Sequence, residues 1–339
     1  MRVMEIGEGF GLEHLRLVTR PDPTPGPGQV VVRMRAVTLN FRDLLTVTGM
    51  YGGSPKLPLV PFSDGCGVVE AVGPGVSRVA VGDRVSSLFF SDSWIAGPVT
   101  QEKLARNLGG ALDGCGQELL LISEDGVSLV PAHLSDTQVA ALPCAALTAW
   151  RALVVDGEVK AGDVVVLQGT GGVSIFALQF AKAMGCEVII TSSSDEKLAR
   201  CRAMGADHTI NYATTPDWGT EVRRLTRGRG ADLIVEVGGA KTLMESLKAV
   251  RAGGHVAVIG VLSGPGEAMP MLIPMLIWTN ARVQGLSVGS REAFEDMCRA
   301  IALHKIEPVI DQIFPWTDAR AALEAMRSGS HFGKIALTF

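Results

Sequence analysis

An apolar run, VVVLQ at Val164–Gln168, leads directly into GTGG and then into the helical pattern Val173–Met184. A strand that turns on glycines into a helix commits a chain to a βαβ unit, because the helix must return over the sheet before the next parallel strand. The following residues repeat the pattern. Glu187–Thr191 precedes a helix from Asp195 to Met204, Asp232–Val237 precedes Lys241–Val250, and His255–Val261 follows. Arg282–Ser287 adds a sixth strand, and Arg291–Leu303 carries apolar Phe294, Met297, Cys298 and Ile301 at helical spacing. The expected product is an α/β domain whose parallel six-stranded sheet is covered on both faces.

The glycine turn has the context of a dinucleotide site. Gly169 permits the tight turn, and Gly171 lets backbone N–H groups approach a pyrophosphate at the positive end of the helix. The contacting stretch is expected to be Gly169, Thr170, Gly171, Gly172 and Val173. The third fingerprint glycine is replaced by Ser174, at the cost of a methylene and a hydroxyl. Sites for NAD carry an Asp or Glu about 20 residues on, which accepts from the ribose hydroxyls. Here the second strand ends in Ser192, Ser193 and Ser194, with Lys197 behind them. No carboxylate stands there to repel a 2′-phosphate, and hydroxyls plus an ammonium would donate to one. The pattern favours NADPH/NADP+ over NAD, with Ser192, Ser193 and Lys197 as phosphate contacts. The competing reading, that the serines and Asp195 cap the next helix, is compatible with this. An Asp195 turned to the ribose would instead favour NAD. Gly238, Gly260, Val261 and Leu262 follow parallel strands, outside whose carboxyl ends ligands bind, and are expected near the nicotinamide. Arg291 either folds towards the cofactor or marks the exposed start of its helix.

The first 140 residues read differently. Short β-branched runs alternate with turn signals such as PDPTPGPG and GPG, the texture of a β-rich domain. With 339 residues the chain has room for two cores. A net charge of −4 without basic runs argues against nucleic acid. The longest strongly apolar segment, Met269–Trp278, is broken by Pro270 and Pro274 and is too short for a bilayer core of about 30 Å. With no signal peptide evident in MRVMEIGEGF, a cytoplasmic location is expected. Six scattered cysteines without a CxxC pair point away from a disulfide framework or a four-cysteine zinc lobe. The six histidines fall on no motif position and read as surface or packing residues.

LNFRDLL (Leu39–Leu45), GMY (Gly49–Tyr51), VPFSDGCGVVEAVGPGV (Val60–Val76), VGDRV (Val81–Val85), LPCAALTAWRAL (Leu142–Leu153), GTGGVS and the final GKI (Gly333–Ile335) follow one another in a specific order. In this the chain resembles the medium-chain dehydrogenase/reductase superfamily over its full length. The resemblance is closer to the zinc-independent branch of quinone oxidoreductase-like and enoyl reductase-like proteins. It implies a Rossmann NADP-binding domain (149–290) inserted into a β-rich GroES-like catalytic domain (1–148 and 291–339).

The resemblance also bears on metal. The three zinc-ligand positions of the zinc-dependent relatives fall on Asn40, Ser63 and Cys144, and the neighbouring glutamate position on Asp64. A thiol, an amide and a hydroxyl make a poor Zn²⁺ site, so no zinc is expected. Asn40 is then expected to position substrate or nicotinamide, Tyr51 to donate a proton or hydrogen bond to an oxyanion, and Arg42 to supply fixed positive charge. Thr148, in LTAW, is the implied contact for the nicotinamide carboxamide. Cys144, four residues earlier, would share its helical face as a neutral thiol.

Without a metal to acidify an alcohol, reduction of an activated C=C or a quinone is the easier chemistry. The leading expectation is a zinc-independent NADPH-dependent oxidoreductase acting on such substrates. The alternatives are an NADP-dependent alcohol/aldehyde oxidoreductase and a non-catalytic NADPH-binding protein. Pro270–Trp278 reads as a homodimer seam or as a loop over the substrate.

Overall fold

Every residue of strand Val164–Gln168 is buried, and it pairs in parallel on both sides, with Glu187–Ser192 and with Ala231–Glu236. Its β-branched sequence suits a strand that meets protein on both faces. The computed structural model describes residues 1–52, 56–260 and 271–339. It divides into two units, Met1–Leu147 with Val288–Phe339, and Thr148–Ser287.

In the second unit six parallel strands lie in the order His208–Asn211, Glu187–Ser192, Val164–Gln168, Ala231–Glu236, Val250–Val258, Arg282–Gly285. The chain enters at Val164, winds outward to His208, then returns to start again at Ala231. The winding direction therefore reverses between Val164–Gln168 and Ala231–Glu236, and the crevice outside their carboxyl ends is where such sheets bind ligands. Helix Gly172–Ala183 covers the sheet with Ile175, Phe176, Leu178 and Phe180, all buried. Helix Trp218–Leu225 covers it with Trp218 and Val222, which join Ile189, Ile234, Leu247 and Val256 in one core. That helix and the edge strand His208–Asn211 are elements that periodicity did not single out. HTIN buries only Ile210 fully, so it has no apolar alternation to read.

The first unit is a β-rich sheet built on Gln29–Thr38. Asp64–Val72 runs antiparallel along one side of that strand. The other side is shared by Leu119–Ser123 and, further along, by Lys334–Thr338. The last strand of the chain thus completes the sheet of its first 150 residues, with Ala336 opposite Thr38. This is the β-rich domain interrupted by a Rossmann module that the sequence led us to expect. Its core gathers Val32, Met34, Val37, Leu39, Phe62, Leu108, Leu120 and Ile335. Among the described residues no helix is long and apolar enough to cross a membrane.

One histidine is more than packing. His255, on Val250–Val258, stands opposite Arg282 on the edge strand, and its Nδ1 lies 2.8 Å from an Arg282 terminal nitrogen. A guanidinium only donates, so Nδ1 accepts and the ring is neutral with its proton on Nε2. Burial, reinforced by the Arg282 charge, holds the His255 pKa down at about 4, against an ordinary 6.5. Between those values the unfolded chain binds a proton that the folded chain does not, so stability falls as pH falls through this window. Thermal melts of the wild type should lose stability from about pH 6.5 down to about pH 4. His255→Asn should flatten that slope, and an unchanged slope would show that other groups set it.

Candidate active site

Strand Gln29–Thr38 and helix Phe41–Val47 are joined at Leu39–Asn40. The helix start is capped by Asp43, whose carboxylate accepts from the Asn40 backbone N–H at 2.8 Å. In the reciprocal half of this capping box the Asn40 side chain faces back to the Asp43 N–H, and it reaches further partners. Its Oδ1 accepts from the Lys334 ammonium at 2.5 Å, and the same ammonium donates to the Leu39 carbonyl at 2.6 Å. The Asn40 amide nitrogen lies 3.4 Å from Ser63 Oγ. Ser63 in turn donates to Asp64 Oδ1 at 2.6 Å, and Asp64 Oδ2 accepts the Cys144 backbone N–H at 3.0 Å. The three positions aligned with zinc ligands are thus joined into one polar chain.

Local backbone makes this possible. Phe62 is a bulky residue at φ 75°, a left-handed conformation that costs energy outside glycine. Its carbonyl accepts the Cys115 N–H at 2.7 Å, and a Cβ on Gly114 would lie 2.1 Å from that oxygen. The segment that replaces a zinc lobe therefore clamps Phe62, and with it Ser63 and Asp64, which are wholly buried.

Burial pushes the Asp64 pKa up, against Lys334 and the hydrogen bonds from Ser63 and Asn40. Burial pulls the Lys334 pKa down, against Asp64. Burial, then the Asp64 charge, drives the Cys144 thiol far above its ordinary range, so it is protonated at neutral pH. Zinc needs thiolate, imidazole or carboxylate ligands. One thiol, an amide and a hydroxyl make a poor donor set for zinc, and the Lys334 ammonium beside them would repel a dication, so these residues do not fit the metal. Among the described residues no three His, Cys, Asp or Glu side chains gather as a metal cage.

Arg42 is also buried. One terminal nitrogen donates to Asp43 Oδ1 at 3.1 Å and to the Leu108 and Gly109 carbonyls at 3.1 and 2.9 Å. Its guanidinium stacks 4.7 Å from the Tyr51 ring and 5.4 Å from Phe89. Arg42 is thus the peg that fixes the 108–109 loop and the Tyr51 ring. Arg291 pairs within its own unit, donating to Asp125 Oδ1 at 2.5 Å. Its charge is spent on Asp125 and Glu295 at the start of helix Arg291–His304. Cys144 lies in a π-helical turn, Leu142–Ala146, which is followed by a single α-turn, Leu147–Trp150, that holds a buried Thr148.

In the Rossmann unit Gly169 takes φ 69°, and a Cβ on Gly169 or Gly171 would meet nothing within 4 Å. The turn is an open cradle, bordered by Thr170, Gly172 and Val173, that fits a pyrophosphate. Ser174 satisfies its hydroxyl by donating to the Gln168 carbonyl at 2.6 Å. At the second strand tip Ser192 is buried and accepts from Ser194 N–H, while Ser194 accepts from Lys197 N–H and caps the helix. Ser193 is exposed at the tip. Asp195 accepts from Asn211 at 2.8 Å, which turns its carboxylate to the neighbouring strand.

Glu236 was missed in the sequence. It is fully buried, yet five donors reach it. Gln168 and Ser246 donate to Oε2 at 2.6 and 2.5 Å, Thr242 donates to Oε1 at 2.5 Å, and the Gly238 and Gly239 N–H groups donate to Oε1 at 2.8 Å each. The carboxylate therefore shapes the turn that carries Gly238. Gly260 comes close from the next strand, where a Cβ would lie 2.0 Å from the Val237 carbonyl. Val261 and Leu262 lie outside the described residues. Glu236→Ala would strand these donors at a cost of about 1–3 kcal/mol for each one left buried without a partner. Denaturant titration should show that loss together with weakened binding of the dinucleotide, and unchanged dinucleotide affinity would detach Glu236 from the site.

Comparison with known proteins agrees with this architecture. Residues 26–132 match the alcohol dehydrogenase GroES-like domain, and residues 172–302 match the family model named for zinc-binding dehydrogenases. A zinc-type alcohol dehydrogenase-like protein of Schizosaccharomyces pombe is 41% identical, over 92% of this chain and 91% of its own. A crystal structure of an NAD-dependent alcohol dehydrogenase superposes with a TM-score of 0.90 at 33% identity, covering 100% of both chains. A quinone oxidoreductase of Pseudomonas syringae pv. tomato superposes with a TM-score of 0.84 at 29% identity, over 100% of this chain and 99% of that one. The chain belongs to the medium-chain dehydrogenase/reductase superfamily of alcohol dehydrogenases and their relatives, and it is an oxidoreductase.

Proposed function

We propose that the protein is an NADP(H)-dependent oxidoreductase that works without metal and interconverts an alcohol and its aldehyde or ketone. The observation that carries this reading is the Lys334–Asn40–Ser63–Asp64 chain at the positions where relatives hold zinc. The names of the relatives weigh towards the alcohol–carbonyl couple. A bound nicotinamide supplies or takes up the hydride.

The chain's own residues do the rest. Asn40 donates from its amide to the carbonyl oxygen as charge gathers there. Tyr51, held by the Arg42 guanidinium, carries the proton of the alcohol. Thr148 holds the carboxamide. Gly169–Val173 together with Gly238 and Gly260 line the dinucleotide, and Ser193 with Lys197 receives a 2′-phosphate. Asp195, tied to Asn211, leaves that corner without a ribose-seeking carboxylate. Arg291 is assigned no cofactor role, because its charge is spent on Asp125.

A second reading is favoured by the nature of the donors. An enolate or hydroquinone oxygen is less basic than an alkoxide, so hydrogen bonds alone stabilise it better, which suits reduction of enones or quinones.

The same reading includes a homodimer. Helix Leu272–Thr279 exposes Ile273, Ile277 and Trp278 at 62%, 72% and 69%, beside strand Arg282–Gly285, which is the edge of the sheet among the described residues. Apolar surface of this kind beside an open strand edge invites a second copy. A cytoplasmic location suits six cysteines that are all free thiols.

Purified enzyme should oxidise NADPH faster than NADH with a panel of aldehydes, ketones, enones and quinones, and the ratio of rates across the panel decides between the two readings. Asn40→Ala should lower kcat by about 10²–10³. Ser193→Asp should shift preference towards NADH. Preference of the wild type for NADH, or no turnover on any member, would defeat the proposal. Sedimentation should give the mass of two chains for the wild type and of one for Ile277→Glu, and a monomeric wild type would remove the dimer.

A further inference from the structure

We propose that Lys334 sets the hydrogen-bonding sense of Asn40, and so is the positioning residue that makes this site a donor of hydrogen bonds to a developing oxyanion. The inference rests on the reading of the site given under Proposed function. Nothing local links the two residues, which are 294 positions apart.

An ammonium has three donors and no acceptor. Lys334 spends one on the Leu39 carbonyl and one on Asn40 Oδ1. The amide oxygen is thereby pinned, and the –NH2 end must point the other way. That end faces Ser63 Oγ, whose own hydrogen is committed to Asp64, and Asp64 itself, so its two hydrogens rest on buried acceptors until a developing oxyanion competes for one of them. Asp64 in turn is anchored by the Cys144 N–H. The chain has one consistent direction, from ammonium to amide to hydroxyl to carboxylate, and each link polarises the next. With Lys334 absent, Oδ1 loses its charged donor and keeps only the weaker capping contact with the Asp43 N–H, so the amide can turn over and offer its oxygen, which would repel a developing oxyanion. Asn40 is the member of this chain with surface left to offer, at 8% exposure against 0% for Ser63 and Asp64 and 3% for Lys334.

A simple counter-ion role for Lys334 predicts something different. If the lysine only balanced Asp64, removing both charges together would leave the chemistry intact. The test is therefore Lys334→Met/Asp64→Asn, which keeps the site neutral. We expect this double variant to melt near the wild type and to bind NADPH, followed by fluorescence, with unchanged affinity. Its kcat for carbonyl reduction should fall by about tenfold or more, with KM within about threefold. A double variant with kcat within twofold of the wild type overturns the proposal.

Should the double variant fail to fold, Asn40→Asp answers the same question. The aspartate still accepts from Lys334 but has no N–H to give, so its kcat should fall as far as that of Asn40→Ala, and retained activity overturns the inference. The Asn40 side-chain NH2 resonances read the positioning without turnover. They should shift in the double variant, and unshifted resonances contradict the inference. A wild type that turns over no substrate would defeat the function proposed above while leaving this spectroscopic arm intact.

Discussion

A lysine ammonium taken out of water must be given acceptors, and the candidate substrate site is arranged around that requirement. Lys334, Arg42, Asp43 and Asp64 are all at most 8% exposed, two cations against two anions. Breaking one member of such a set leaves an uncompensated buried charge, typically at about 3–5 kcal/mol. The set is therefore held together as a unit. The strand that ends the chain, the helix that starts at Asn40, the strained Phe62 and the loop clamped by Arg42 all converge on it. Here the local positive charge beside Asn40 is a covalently tethered ammonium, which cannot leave.

The Rossmann unit solves a similar problem with one charge. Glu236 is buried, and five hydrogen bonds hold it. Two of them come from consecutive backbone N–H groups, so the carboxylate acts as a template for the Gly238–Gly239 turn. Gln168 links that template to the strand that precedes the phosphate cradle. The two turns at the reversal point of the sheet are thus coupled through buried side chains.

Much of the architecture was legible before any coordinates. Continuous apolar runs such as VVVLQ became fully buried strands, and Phe294, Met297, Cys298 and Ile301 became the buried face of one helix. The ordered family motifs placed the β-rich unit. What escaped was built by contacts far apart in sequence. Lys334 reads as part of a terminal strand until its distance to Asn40 is known. Glu236 reads as the polar end of an apolar run until its donors are seen. Arg291 finds its partner 166 residues upstream, which no helix periodicity announces. The π-turn at Leu142–Ala146 likewise had no signature in the apolar spacing of LPCAALTAW.

Metal independence is the claim on which the account of the substrate site turns. The most direct measurement is the turnover rate of enzyme dialysed exhaustively against a strong chelator, with its metal content determined on the same sample. The account predicts undiminished turnover at negligible zinc. Loss of activity on dialysis, restored by stoichiometric Zn²⁺, would contradict it.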